Sequence, residues 1–103
     1  MPRRPRIEPP PHLQERSKAL WRDLVPSRCA SPGRVAMLEA ALTALDQADQ
    51  ARQQVARDGL SFTTRKTKMV RPHPLLAVER QARATFLRIF RTLRLDWDPD
   101  LDG

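Results

Sequence analysis

The chain has 103 residues, 40% of them hydrophobic, and 19 basic against 12 acidic side chains give a net charge of +7 and an isoelectric point near 11.2. That length suits one core with loose ends and excludes a second. No apolar run exceeds four residues, as in Leu75-Leu76-Ala77-Val78, far below the roughly 20 that a membrane span needs, so a soluble protein with no membrane partner is expected. The positive field draws polyanions, nucleic acid first and an anionic membrane surface second.

The basic set is 16 Arg and 3 Lys. Guanidinium forks pair two-to-two with phosphate oxygens, which suits phosphate contact better than mere solubility; a GC-rich coding sequence would give the same bias. Cys29 is the single cysteine, so neither an intrachain disulfide nor a cysteine zinc site can form, and a reducing compartment fits. It sits in the loop-like stretch 26–32 with no His near it in sequence, which favours an incidental thiol over a nucleophile. The start, MPRRPRIEPPP, has the charge of a signal peptide but no apolar run behind it, so secretion is not expected.

In chain order, residues 1–11 hold five prolines with Arg3, Arg4 and Arg6, a composition for an extended basic arm. Residues 12–24 place Leu13, Leu20, Trp21 and Leu24 at helical spacing, with Pro11 before them and Pro26 as the stop, and predict helix 1, Trp21 lying in the core rather than stacking on a base. Ser31 as N-cap with Pro32 at the first helical position opens a second helix over 32–58. Its stripe runs Val35, Leu38, Leu42, Leu45 and then Ala48, Ala51 and Val55; the small residues invite close approach of another helix, from this chain or a neighbour. Gly59 supplies a left-handed stop.

Residues 60–71, LSFTTRKTKMVR, hold Phe62, Thr63, Thr64 and Val70 around Arg65-Lys66-Thr67 and predict a short β-hairpin, with a longer loop as the alternative because no Gly or Asn marks the turn. Pro72-His73-Pro74 then opens the last helix, 75–94. On a helical wheel Val78, Ala82, Phe86, Ile89, Phe90 and Leu93 share one side, and Arg80, Arg83, Arg88, Arg91 and Arg94 fall on the other. Residues 95–103 carry four Asp, Trp97 and no base, an acidic tail that is disordered or a docking peptide. The expected fold is therefore mainly α: three helices with a short β-hairpin between the second and third, a basic arm (1–11), a helical domain (12–94) and an acidic tail.

The charge is local. Residues 59–94 hold nine basic side chains against Glu79 alone, and like charges on one helix face repel until a counter-charge arrives. Arg65, Lys66, Lys68, Arg71, Arg80, Arg83, Arg88, Arg91 and Arg94 are the expected DNA-binding residues. No Gly-rich phosphate loop, HExxH or Ser-His-Asp set appears. His73 between two prolines reads as a turn residue; Asp46 and Asp49, three apart on one helix face with no His or third acid, are weak as a metal site, and Glu39 or Asp46 reads as an ordinary acid on an exposed helix face. No catalytic residue, metal or cofactor is expected.

LWRDLVPS at 20–27, VARDGLSF at 55–62 and HPLLAVERQARATFLRIFRTLRLD at 73–96 together resemble the small subunits of phage terminases, which share a Pro-rich start, a Trp-bearing first helix, a long helix ending in Gly-Leu, a short hairpin and a last helix opened by His/Asn-Pro-Leu. The resemblance implies a non-enzymatic, ring-forming subunit in the host cell cytoplasm that binds the double-stranded viral genome and presents it to the large ATPase and nuclease subunit. Two departures stand out: Arg65-Lys66-Thr67-Lys68 where relatives often have glycines, and Arg94 where a Gly commonly precedes the terminal Leu. Rival readings are a helix-turn-helix regulator built on helices 1 and 2, with Arg34 the only base at the start of helix 2; a protein-interaction adaptor using the Arg face and the tail; and a membrane-surface role for the last helix through Phe86, Leu87, Ile89 and Phe90.

Overall fold

The computed structural model describes residues 8–59, 61–63 and 70–96. Among them the chain is mainly helical, with three helices, α1 (Glu15–Leu24), α2 (Pro32–Asp58) and α3 (Leu75–Thr92). Of the segment expected as a hairpin, the backbone of two three-residue strands is described, β1 (Ser61–Thr63) and β2 (Val70–Pro72), paired antiparallel with Phe62 opposite Arg71. The turn expected at Arg65-Lys66-Thr67 lies outside the described residues, as do most of the arm (1–7) and of the tail (97–103).

Helix α1 starts at Glu15, three residues later than its sequence predicts. Residues 11–13 turn instead, with the Leu13 N–H donating to the Pro10 carbonyl at 3.2 Å, because Pro11 at the second position of that turn pre-sets the φ it needs. The start is fixed from outside the helix. Gln14, the N-cap residue, makes no side-chain cap of its own; its N–H and the Ser17 hydroxyl both donate to the Asp46 carboxylate of α2, at 2.7 and 2.5 Å. A carboxylate is favoured at a helix N-terminus, where unpaired N–H groups point outward. Asp46 is accordingly buried, 5% exposed, which corrects its reading as an exposed acid.

Helix α2 begins and ends where its sequence places it. Ser31 accepts from the Arg34 N–H at 3.3 Å with Pro32 in the first turn, and the Gly59 N–H closes on the Val55 carbonyl at 2.7 Å. Gly59 has the positive φ expected, 91°, but its ψ of 161° is extended rather than left-handed helical. That region is essentially restricted to glycine. It sends the chain off α2 without a further helical residue.

Helix α3 runs back along α2. Contacts pair Arg34 with Leu93, Asp49 with Arg83, Arg52 with Glu79 and Asp58 with His73, a descending order that makes the two antiparallel. The Ala stripe of α2 (Ala41, Ala44, Ala48, Ala51) is buried along this contact, with Ala82 buried on α3. Small side chains on both helices let the backbones approach closely. The larger apolar residues gather at one end, where Leu13, Trp21, Leu24, Val25 and Cys29 meet Leu38, Leu42 and Leu45 of α2 and Leu93 and Leu95 beyond α3. Trp21, 3% exposed, is a core residue, as its spacing predicts.

Candidate nucleic-acid interface

The chemistry the sequence offers is cationic, so the question is which cations the fold already uses. Arg83 is used: its guanidinium lies 3.1 Å from Glu79 and 3.8 Å from Asp49. Asp49 also pairs with Arg16, and Glu79 lies 4.0 Å from Arg52. These acids sit between helices and tie α1, α2 and α3 together. Arg83 follows Ala82, which packs on α2, and so stands at the rim of the packed side, within reach of acids that the other α3 arginines cannot meet.

Arg80, Arg88 and Arg91 are exposed, and among the described residues no carboxylate is within ion-pair distance of any of them. Leu87, 47% exposed, lies on the same side, one turn before Arg91. A helical wheel puts it there, yet attention to charge passes over it. The Arg71 backbone lies in β2, while the side chain of Arg71 and all of Arg65, Lys66 and Lys68 lie outside the described residues.

Arg94 is exposed but has a backbone task. Its φ is 60°, its N–H donates to the Arg91 carbonyl at 3.0 Å, and the Leu95 N–H reaches back to Phe90 at 2.8 Å. These two bonds with a left-handed residue between them make the Schellman ending that usually employs glycine. Leu95 is buried beneath it.

Arg28 and Arg34 seal the same end. Arg34 donates to the Leu93 carbonyl at 2.7 Å and twice to the Arg28 carbonyl at 3.1 and 3.0 Å, while Arg28 donates to the Arg94 carbonyl at 2.5 Å. Cations are stabilising there, because the last carbonyls of a helix lack intrahelical partners. A cleft bounded by Arg28, Arg34, Leu93, Arg94 and Asp96 results. Arg34, the only base at the start of α2 that a helix-turn-helix reading could use, is thereby committed to these carbonyls. Beneath these arginines Cys29 is fully buried; burial pushes its thiol pKa up, with Arg34 and Arg28 partly offsetting the rise.

At the other end of α3, His73 does more than turn the chain. Its Nδ1 accepts from the Leu75 N–H at 3.1 Å, so it caps the helix, and that role leaves Nε2 to donate to Asp58 at 2.9 Å. The hydrogen bonds from His73 and then Gln54 hold the Asp58 carboxyl below its ordinary value. Asp58 ends α2 and His73 opens α3, so the pair clamps the two sides of the β1–β2 connection. Among the described residues no three His, Cys, Asp or Glu side chains gather as a metal would require, and no helix is long and apolar enough to cross a membrane.

No curated protein and no solved structure matches the chain. A family model described as the small subunit of phage terminase matches residues 15–97, from the start of α1 to just past the Schellman ending of α3. A match over that much of the sequence, on the helices just described, settles the family: the chain belongs to the phage terminase small subunits.

Proposed function

We propose that the protein is the non-catalytic DNA-binding subunit of a phage packaging machine, assembling as a homo-oligomeric ring in the host cytoplasm, binding the double-stranded viral genome and presenting it to the large ATPase and nuclease subunit. The family supports the packaging role. The observation that carries the DNA contact is the division of charge on α3: Arg83 is paired with Glu79 and Asp49, whereas Arg80, Arg88 and Arg91 stand exposed with no described carboxylate within ion-pair distance. Arginines so placed meet phosphates without first breaking an internal pair. With Lys66, Lys68, Arg65 and Arg71 adding charge just before α3, each subunit offers a modest cationic patch, and repetition around a ring multiplies weak contacts into stable binding.

Titration of duplex DNA at several salt concentrations tests this. Log affinity is expected to fall linearly with log salt, by about 0.9 for each phosphate neutralised. Substituting Arg80→Gln, Arg88→Gln and Arg91→Gln together is expected to flatten that slope by up to about 2.7 per bound subunit if each arginine meets one phosphate. Gln sustains a helix nearly as well as Arg, so circular dichroism should be unchanged. Salt-independent binding, or a slope the triple variant leaves alone, would remove these residues from the interface.

A further inference from the structure

We infer that the acidic segment 96–102 folds back along α3 of its own chain and occupies the face formed by Arg80, Leu87, Arg88 and Arg91, where it competes with DNA; the competition, though not the fold-back, rests on the DNA-binding reading above. The face has two properties. Its arginines lack a described counter-charge, and at its centre Leu87 exposes 47% of its surface. A phosphate backbone satisfies the first property and does nothing for the second. A peptide laid along the helix answers both.

The chain carries such a peptide at the right place. Asp96, Asp98, Asp100 and Asp102 alternate with Trp97, Pro99 and Leu101. Alternate residues of an extended chain share one edge at about 6.6–6.8 Å spacing, so laid along the helix this sequence would present its four carboxylates as a row. The Schellman ending turns the chain off the helix axis at Arg94, and Asp96 emerges exposed beside the last turn of α3. Residues 97–103 span roughly 23–25 Å when extended. The rise of α3 from Arg80 to Arg94 is about 21 Å, so the segment reaches the whole row. A tether this short gives a local concentration on the order of millimolar, enough for individually weak pairs to be occupied. DNA, with its denser charge, displaces the segment at low salt.

The test uses the full chain with Gly103→Cys carrying a nitroxide; Cys29 is fully buried, so the label goes to residue 103. Fold-back is expected to broaden the backbone amide signals of residues 80–88 within labelled chains, and the broadening should vanish at about 1 M salt, where screening lengths fall to ~3 Å, and in the variant Asp98→Asn, Asp100→Asn, Asp102→Asn. Broadening absent, or seen only in unlabelled chains mixed with labelled ones, overturns the inference; the mixed-sample result would assign the segment to a neighbouring copy. In DNA titrations the Asn variant is expected to bind roughly three- to thirtyfold tighter. A control with the same charge change on other exposed acids, Glu8→Gln, Glu15→Gln and Asp23→Asn, is expected to gain much less, and an equal gain overturns the competition. Fold-back in a protein that binds no DNA in any variant would sink the DNA reading and leave the fold-back standing.

Discussion

Asp46 shows how one side chain settles the position of a helix. Its two oxygens accept from the first turn of α1, at the Gln14 N–H and the Ser17 hydroxyl, so it caps a helix to which it does not belong. Removing it leaves a buried N–H and a buried hydroxyl without their acceptor and takes a negative charge from a helix N-terminus. Asp46→Ala is expected to cost about 2–3 kcal/mol, lowering the melting temperature by roughly 10–20 °C in a domain this small. Glu39→Ala on the same helix is expected to change little; equal losses in a thermal melt would mean the carboxylate does not hold α1. The sequence did hold a clue to this burial, since Asp46 lies four residues after Leu42 and so continues the apolar stripe. What it could not supply was the partner, because Gln14 and Ser17 are about thirty positions away and no local pattern links them. His73 was obscured in the same way: the prolines beside it mark a turn, but its bond to Asp58 exists only once α2 and α3 run side by side.

Among the elements, α2 was the most legible, since Ser31, Pro32 and Gly59 encode both its ends locally. The end of α3 was the least, because it lacks the expected glycine. The structure shows the glycine's place filled by Arg94 in the left-handed conformation, with Leu95 buried and the last carbonyls covered by Arg34 and Arg28. Packing and capping therefore enforce a conformation that costs a non-glycine residue about 1–2 kcal/mol. Arg94→Gly relieves that strain at the price of a more flexible unfolded chain, about 0.5–1 kcal/mol, and is expected to stabilise the protein by about 0.5–1 kcal/mol, a rise of several degrees in melting temperature. Arg94→Ala, which keeps the strain, should give no gain. A thermal melt in which Arg94→Gly is destabilised would mean that the arginine side chain contributes more than its backbone strain costs. The basic patch was legible as charge and illegible as geometry: the wheel grouped five arginines, and only the placement of Asp49 and Glu79 separates Arg83 from the rest.

At the scale of the molecule, the described residues do not finish covering the chain's apolar surface. Phe86, Ile89 and Phe90 of α3 pack against the core yet remain half-buried, as do Leu20, Val35 and Met37. Phe86 and Phe90, with ring centroids 4.3 Å apart, pack on one another within that surface. The cause is the Ala stripe of α2, which brings α3 close but is too small to enclose large side chains standing beside the line of contact. A second copy laid against this side would cover them, and it would do so by apolar burial, which salt does not screen as it screens the arginine contacts. Multi-angle light scattering is therefore expected to give a discrete multiple of 11.8 kDa at high as well as low salt, while DNA binding disappears as salt rises. Ile89→Gln is expected to lower that mass while circular dichroism still reports three folded helices. A monomer at micromolar concentration would exclude self-association through this surface, and a mass that collapsed with salt would place the arginines, rather than the half-buried aromatics, between the subunits.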